Sequence, residues 1–199
     1  METTSQPGYA KGRARRREIV EQAMTVFGEL GYHGTSLREV AARCGISHPG
    51  LLHHFPSKEA LLQAVLQHRD RIDRAWMDDT GSHGLDGLRR LVELVALNAT
   101  RRGIVESFTV LAAEAASAEH PAHDYFVLRY RDSIAANART YEQARAVGAL
   151  RPTVDPDVAG RHLNALMDGL QLQWLLDDGA TDMESIVRAH IQSQLTVEL

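Results

Sequence analysis

Apolar residues recur along most of this chain at steps of three and four, the period of a helix with one buried face. The first such stretch starts at Arg13 and carries Ile19, Ala23, Val26, Phe27 and Leu30, with Gly31 placed to end it in a left-handed cap. Ser36 and Glu39 have the capping-box spacing before Val40, Ala41 and Ala42, and Gly45 stops that second helix early. Ser47 is suited to cap a third short helix, with Pro49 in its first turn, where a missing N–H costs nothing. Pro56 closes it. Ser57 then caps a fourth helix running through Leu61, Leu62, Val65, Leu66, Ile72 and Trp76, up to a break at 81–84. Further helices are predicted over 85–101, 104–118, 120–148, 157–177 and 183–197, with Pro152 and Pro156 framing a loop. Strand alternation and internal repeats are absent from the sequence. The expectation is an all-α protein of about nine helices.

Composition adds exclusions. With 44% hydrophobic and 24% charged residues the chain is globular rather than collagen-like or low-complexity. No apolar run approaches the roughly 18–20 residues of a membrane span. The first residues have no apolar stretch behind their positive charges and do not read as a secretory signal. A lone Cys44 permits neither an internal disulfide nor a cysteine-rich zinc site, so a reducing cytoplasm is the expected compartment. No cofactor is implied. The net charge of −4 hides an asymmetry: residues 1–58 carry +3 and residues 59–199 carry −7. A basic quarter on an acidic body points to a polyanion-binding module, or else to a merely solvated face.

Position favours the module. Two short helices joined by a tight turn, with Ala41, Gly45 and Leu51 at the small, turning and core positions, describe a helix-turn-helix. The surrounding stretch 34–62, GTSLREVAARCGISHPGLLHHFPSKEALL, closely resembles the DNA-binding region of TetR/AcrR-type transcriptional regulators. The resemblance implies an N-terminal three-helix DNA-binding domain followed by a larger helical ligand-binding and dimerisation domain. It sets boundaries of 1–12 for a disordered arm, 13–58 for DNA binding, and 59–199 for effector binding and dimerisation.

A recognition helix this short puts its first residues over base edges in the major groove. Ser47, His48, Pro49, Gly50 and Leu52 are the candidates: His48 as a donor to guanine, Pro49 and Leu52 as apolar contacts to a thymine methyl. Leu52 could instead be core. Arg38 resembles a family position that reaches a base or phosphate, and His53 and His54 fall where the family meets the phosphate backbone. The pair is not expected to hold metal, because adjacent helical residues point about 100° apart. Thr35, Ser36 and Lys58 are expected at phosphates, Lys58 beside the free N–H groups of the fourth helix. Arg13, Arg15, Arg16 and Arg17 either follow the minor groove or form a solubilising tail. Phe55 is expected in the core, and Cys44 at the turn.

In the body, the resemblance implies a homodimer built on the last two helices and a small-molecule pocket among the middle ones. The interface candidates are His162, Ala165, Leu166, Gly169, Leu170, Gln173, Trp174, Ile186 and His190. Those for the pocket are Trp76, Asn98, Phe108, Phe126 and Tyr130, with Glu114 and His123 as further polar groups. The expected function is a homodimeric repressor released from an inverted-repeat operator by an effector. An effector-independent activator or architectural protein is the alternative. An enzyme is not expected: no H-E-x-x-H, E-x-x-H pair or nucleophile elbow occurs.

Overall fold

The computed structural model describes residues 7–78 and 84–199, and among them nine helices and no strand. They are α1 (Pro7–Gly34), α2 (Leu37–Arg43), α3 (His48–His54), α4 (Lys58–Asp78), α5 (Leu85–Ala99), α6 (Arg102–Glu114), α7 (His123–Ala146), α8 (Pro156–Leu176) and α9 (Met183–Gln194). The first helix begins earlier than its apolar pattern. Of the expected arm of residues 1–12, the part from Pro7 onward is helical, since proline is tolerated in a first turn. Residues 1–6, and most of the predicted break at 81–84, lie outside the described residues.

Gly31 does break α1. It stands at φ 68°, ψ 177°, and the chain resumes for one further turn to Gly34. Gly45 takes φ 62° at the turn between α2 and α3. Both are left-handed positions that favour glycine. The α6–α7 connection is longer than expected, because His120 accepts the Ala122 N–H at 3.1 Å and holds a run of turns before α7 starts.

Two apolar cores result. One gathers Ile19, Val26 and Phe27 of α1, Val40, Leu51 and Phe55 of the helix-turn-helix, Leu61, Leu62 and Val65 of α4, and Phe108, Leu111 and Phe126 from α6 and α7. The reading head is thus packed onto the body, and a cut at residue 58 would pass through this core. The second joins α5, the end of α7, α8 and α9 around Leu88, Tyr141, Leu163 and Ile191. Helices α7 and α8 approach closely at Gly160, where a Cβ would come within 2.7 Å of the Ala138 nitrogen. A buried amide pair, Asn137 to Asn164 at 2.6 Å, sits beside that contact.

Candidate nucleic-acid interface and ligand pocket

The helix-turn-helix is set by its caps. Ser36 Oγ accepts the Glu39 N–H at 3.1 Å, and Ser47 Oγ accepts the Gly50 N–H at 3.2 Å. Leu51 and Phe55 are fully buried, which fixes the rotation of α3. Ser47, Pro49, Leu52 and His53 are therefore exposed, with His48, Gly50 and His54 half-buried beside them. Leu52 is 37% exposed, so the packing role belongs to its neighbour Leu51. Arg38 is exposed on α2, next to this surface in sequence and without an intramolecular partner among the described residues. Burial pulls the His54 pKa below its usual value, helped by His53, Arg15 and Arg16.

Two expected phosphate contacts are turned inward instead. Lys58 Nζ donates to the carbonyls of Tyr32 at 2.9 Å and Thr35 at 3.0 Å, and lies 4.2 Å from the centre of the Tyr32 ring. Thr35 is buried, and its hydroxyl donates to the Gly31 carbonyl at 2.6 Å. The break in α1 frees carbonyls that need donors, and these two side chains supply them. The arginines of α1 are also engaged. Arg15 donates to the Cys44 carbonyl at 2.6 Å and pairs with Glu18, while Arg16 lies 4.3 Å from the centre of the Phe55 ring. Cys44 is half-buried at the turn, and burial raises its thiol pKa, which disfavours the reactive thiolate.

The pocket candidates do not converge. Phe108, Phe126 and Tyr130 form one aromatic cluster, Phe108 and Phe126 having ring centres 5.3 Å apart. Phe108 and Tyr130 line a cavity of about 240 Å³, closed by Thr109, Ala112 and Ala113 of α6 and by Asp168 and Leu172 of α8. Asn98 is elsewhere, at the α5–α8–α9 seam beside Val95, Leu170 and Val187, and accepts from Arg101 at 2.7 Å. Trp76 is on α4 against Arg90. Glu114 accepts the Tyr32 N–H at 2.6 Å, and His123 Nδ1 is 2.9 Å from the Ala115 carbonyl. The sequence reading missed Asp168 and also Arg69, buried on α4 behind Phe108. An arginine in register with Leu62 and Val65 was the available signal.

The interface candidates divide as well. Leu170 and Trp174 are buried in the chain's own second core, because the apolar face of α8 packs into the cluster it shares with α5, α7 and α9. His162, Ala165 and Gln173 of α8 and Ile186 of α9 remain exposed, with Leu166, Gly169 and His190 half-buried. Leu172 and Leu176, which the pattern did not single out, are 49% and 78% exposed.

Comparison with known proteins assigns this arrangement. Residues 19–65 match the model for bacterial regulatory proteins of the tetR family. Residues 85–196, more than half of the chain, match the C-terminal model of BetI-type transcriptional repressors. The chain belongs to the TetR family. Members of this family are DNA-binding transcriptional regulators and not enzymes. Among its relatives, the HTH-type transcriptional repressor KstR2 of Rhodococcus jostii is 27% identical over 197 residues, covering 89% of this chain and 87% of its own. The A-factor receptor protein of Streptomyces griseus is 28% identical over 86% of this chain and 59% of its own length. The crystal structure of AibR in complex with isovaleryl coenzyme A and operator DNA superposes with a TM-score of 0.72 at 25% identity, over 90% of this chain and 97% of that one. In this TetR-family chain no group of three metal-ligating side chains stands together among the described residues. Nor is any described helix long and apolar enough to cross a membrane.

Proposed function

We propose that this TetR-family regulator is a homodimeric repressor that binds an inverted-repeat operator and leaves it when a small molecule binds its helical body. The observation that carries the reading is the surface of α3. Pro49, Leu52 and His53 are exposed, beside the capping Ser47, on a helix whose rotation is fixed by buried Leu51 and Phe55, and none of the three packs into the core. His48, Gly50 and His54 flank these base-reading candidates, and Ser36 and Arg38 are the phosphate or base contacts on α2.

Dimerisation follows from the small size of that surface, since tight reading needs two half-sites one helical turn, roughly 34–36 Å, apart. The exposed strip of α8 and α9, from His162 through Ala165 to Leu172 and Leu176 with Ile186, supports that assembly. The cavity between α6, α7 and α8 supports an effector site, and a relative crystallised with both an acyl coenzyme A and operator DNA supports the coupling of the two. A ligand reverses the state of such a switch only through differential affinity, about 5.5 kcal/mol for a swing from 1:99 to 99:1. The cytoplasm, where bacterial operators lie, is the proposed compartment.

The test is selection of sites from randomised duplex DNA by the purified protein at near-physiological salt, with its mass measured in solution. An inverted repeat bound by a dimer is expected. A single half-site bound by a monomer, or no enriched sequence from a folded dimer, would overturn the reading.

A further inference from the structure

One stripe of α4 changes character halfway along. Leu62, Val65 and Leu66 are buried and apolar, but the same face continues through Arg69, Asp73 and Trp76. Arg69 is only 6% exposed, and its guanidinium carbon lies 3.6 Å from the centre of the Phe108 ring. Its ion-pair partner is Asp73, at 3.5 Å. Arg69 Nε and Nη1, Trp76 Nε1 and Asp73 Oδ1 are buried without a hydrogen-bond partner. Burial lowers the Arg69 pKa to about 10, which leaves the group charged at neutral pH.

The charges nearby are already in use. Arg129 pairs with Asp70 and with Asp73, the latter at 3.2 Å, and the Tyr125 hydroxyl donates to Asp70 at 2.8 Å. Arg69 Nε and Nη1 remain buried donors with no hydrogen-bond partner among the described residues. Phe108, on which it stacks, is also a wall of the 240 Å³ cavity.

We propose that this cavity takes a small apolar molecule bearing a carboxylate, with Arg69 as the anchor for the carboxylate oxygens. The proposal rests on the effector-pocket reading above and names the chemical class of the effector. A carboxylate matches the forked donors of a guanidinium, and a buried orphan donor gains most from such a partner. A cationic ligand is disfavoured, because Arg69 and Arg129 already crowd the Phe108 ring, with guanidinium carbons 3.6 and 5.2 Å from its centre. Ala112, Ala113 and Leu172 supply apolar walls for the rest of the molecule. Asp168 lines the same cavity and accepts from the Tyr130 hydroxyl; burial raises its pKa, opposed by that bond and by Arg69 and Arg129. Arg69 stands behind the Phe108 ring and is not itself a wall of the cavity, so binding through Arg69 requires that ring to turn aside when the ligand enters.

Thermal unfolding of the full chain with octanoate, octanamide and octylamine as probes tests this. Octanoate is expected to raise Tm and to bind at least tenfold more tightly than octanamide, with octylamine inactive. Arg69→Met should abolish the preference for the acid over the amide. Asp168→Asn, which removes a negative charge, should bind octanoate as well as or better than the parent; it decides the matter if Arg69→Met does not fold. Stabilisation by octylamine, lost in Asp168→Asn, would make the site one for cations and overturn the proposal. So would the absence of any shift in a preparation that binds its selected operator. If that preparation binds no operator, it is the regulator reading that fails instead.

Discussion

The two ends of α4 sit in different kinds of interior. At its N-terminus, no described side chain of the reading head leaves a buried polar atom unpartnered: Lys58 and Thr35 serve the carbonyls at the end of α1, and the Tyr32 hydroxyl donates to Glu59 at 2.7 Å. Eleven residues on, Arg69, Asp73 and Trp76 retain buried atoms with no partner. A fully satisfied polar core favours one geometry, whereas a partly satisfied one is ready to change partners. The polar interior of the head is closed and that of the body is open, and one helix runs through both.

The contrast is sharpest at two adjacent leucines. Leu51→Ala should cost about 2–5 kcal/mol of stability, because Leu51 is fully buried under α3. Leu52→Ala should cost under about 0.5 kcal/mol and weaken operator binding instead. Denaturant unfolding measures both, and equal losses at the two sites would erase the distinction between packing face and reading face. In the body, Gly160→Ala places a methyl against the Ala138 backbone, which should cost about 1–3 kcal/mol or force α7 and α8 apart. An unchanged melting temperature would mean that this contact is loose.

Lys58 separates support from reading. Lys58→Ala removes two charge-assisted hydrogen bonds and should lower stability by on the order of 1 kcal/mol, leaving the salt dependence of operator affinity as it was. Arg38→Ala should do the reverse and flatten that slope by about one. A flattened slope in Lys58→Ala would return it to the phosphates.

The smallest effect concerns pH. His120 is buried with its Nε2 unpartnered, 3.9 Å from Glu114, and desolvation lowers its pKa, opposed by Glu114 and assisted by His33 and Lys58. The native state therefore binds its proton less readily than the unfolded chain. Stability contributed by the neutral ring is present above the unfolded value near 6.5 and is lost as pH falls below it. Melting temperatures between pH 7.5 and 5.5 should fall, and less steeply in His120→Gln. An equal fall in the variant would shift the effect to another group.

What was legible in the sequence was local. Ser36, Ser47, Gly31 and Gly45 act within a turn of their own positions, so spacing alone identified their roles, and the rotation of α3 followed from Leu51. The cavity is assembled from residues as far apart as Phe108, Tyr130 and Asp168, and helical period says nothing about which of three faces will meet. Lys58 shows the same limit at short range. Its place at a helix start suited an anion, but the carbonyls freed at Gly31 were nearer. On α8, period alone could not tell whether the apolar face meets a second copy or the chain's own core; the second core claimed Leu170 and Trp174 and left Leu172 exposed.

At Gly28 α1 meets α6 with almost no side chain between them: a Cβ there would lie 3.1 Å from the Ser107 nitrogen, whereas one at Gly31 would strike the Glu114 carboxylate. Side chains have rotamers with which to absorb a small displacement, and a backbone pressed against a backbone has none. A displacement of Phe108, one residue beyond Ser107, would act directly on this joint, with no side chain to absorb it before α1.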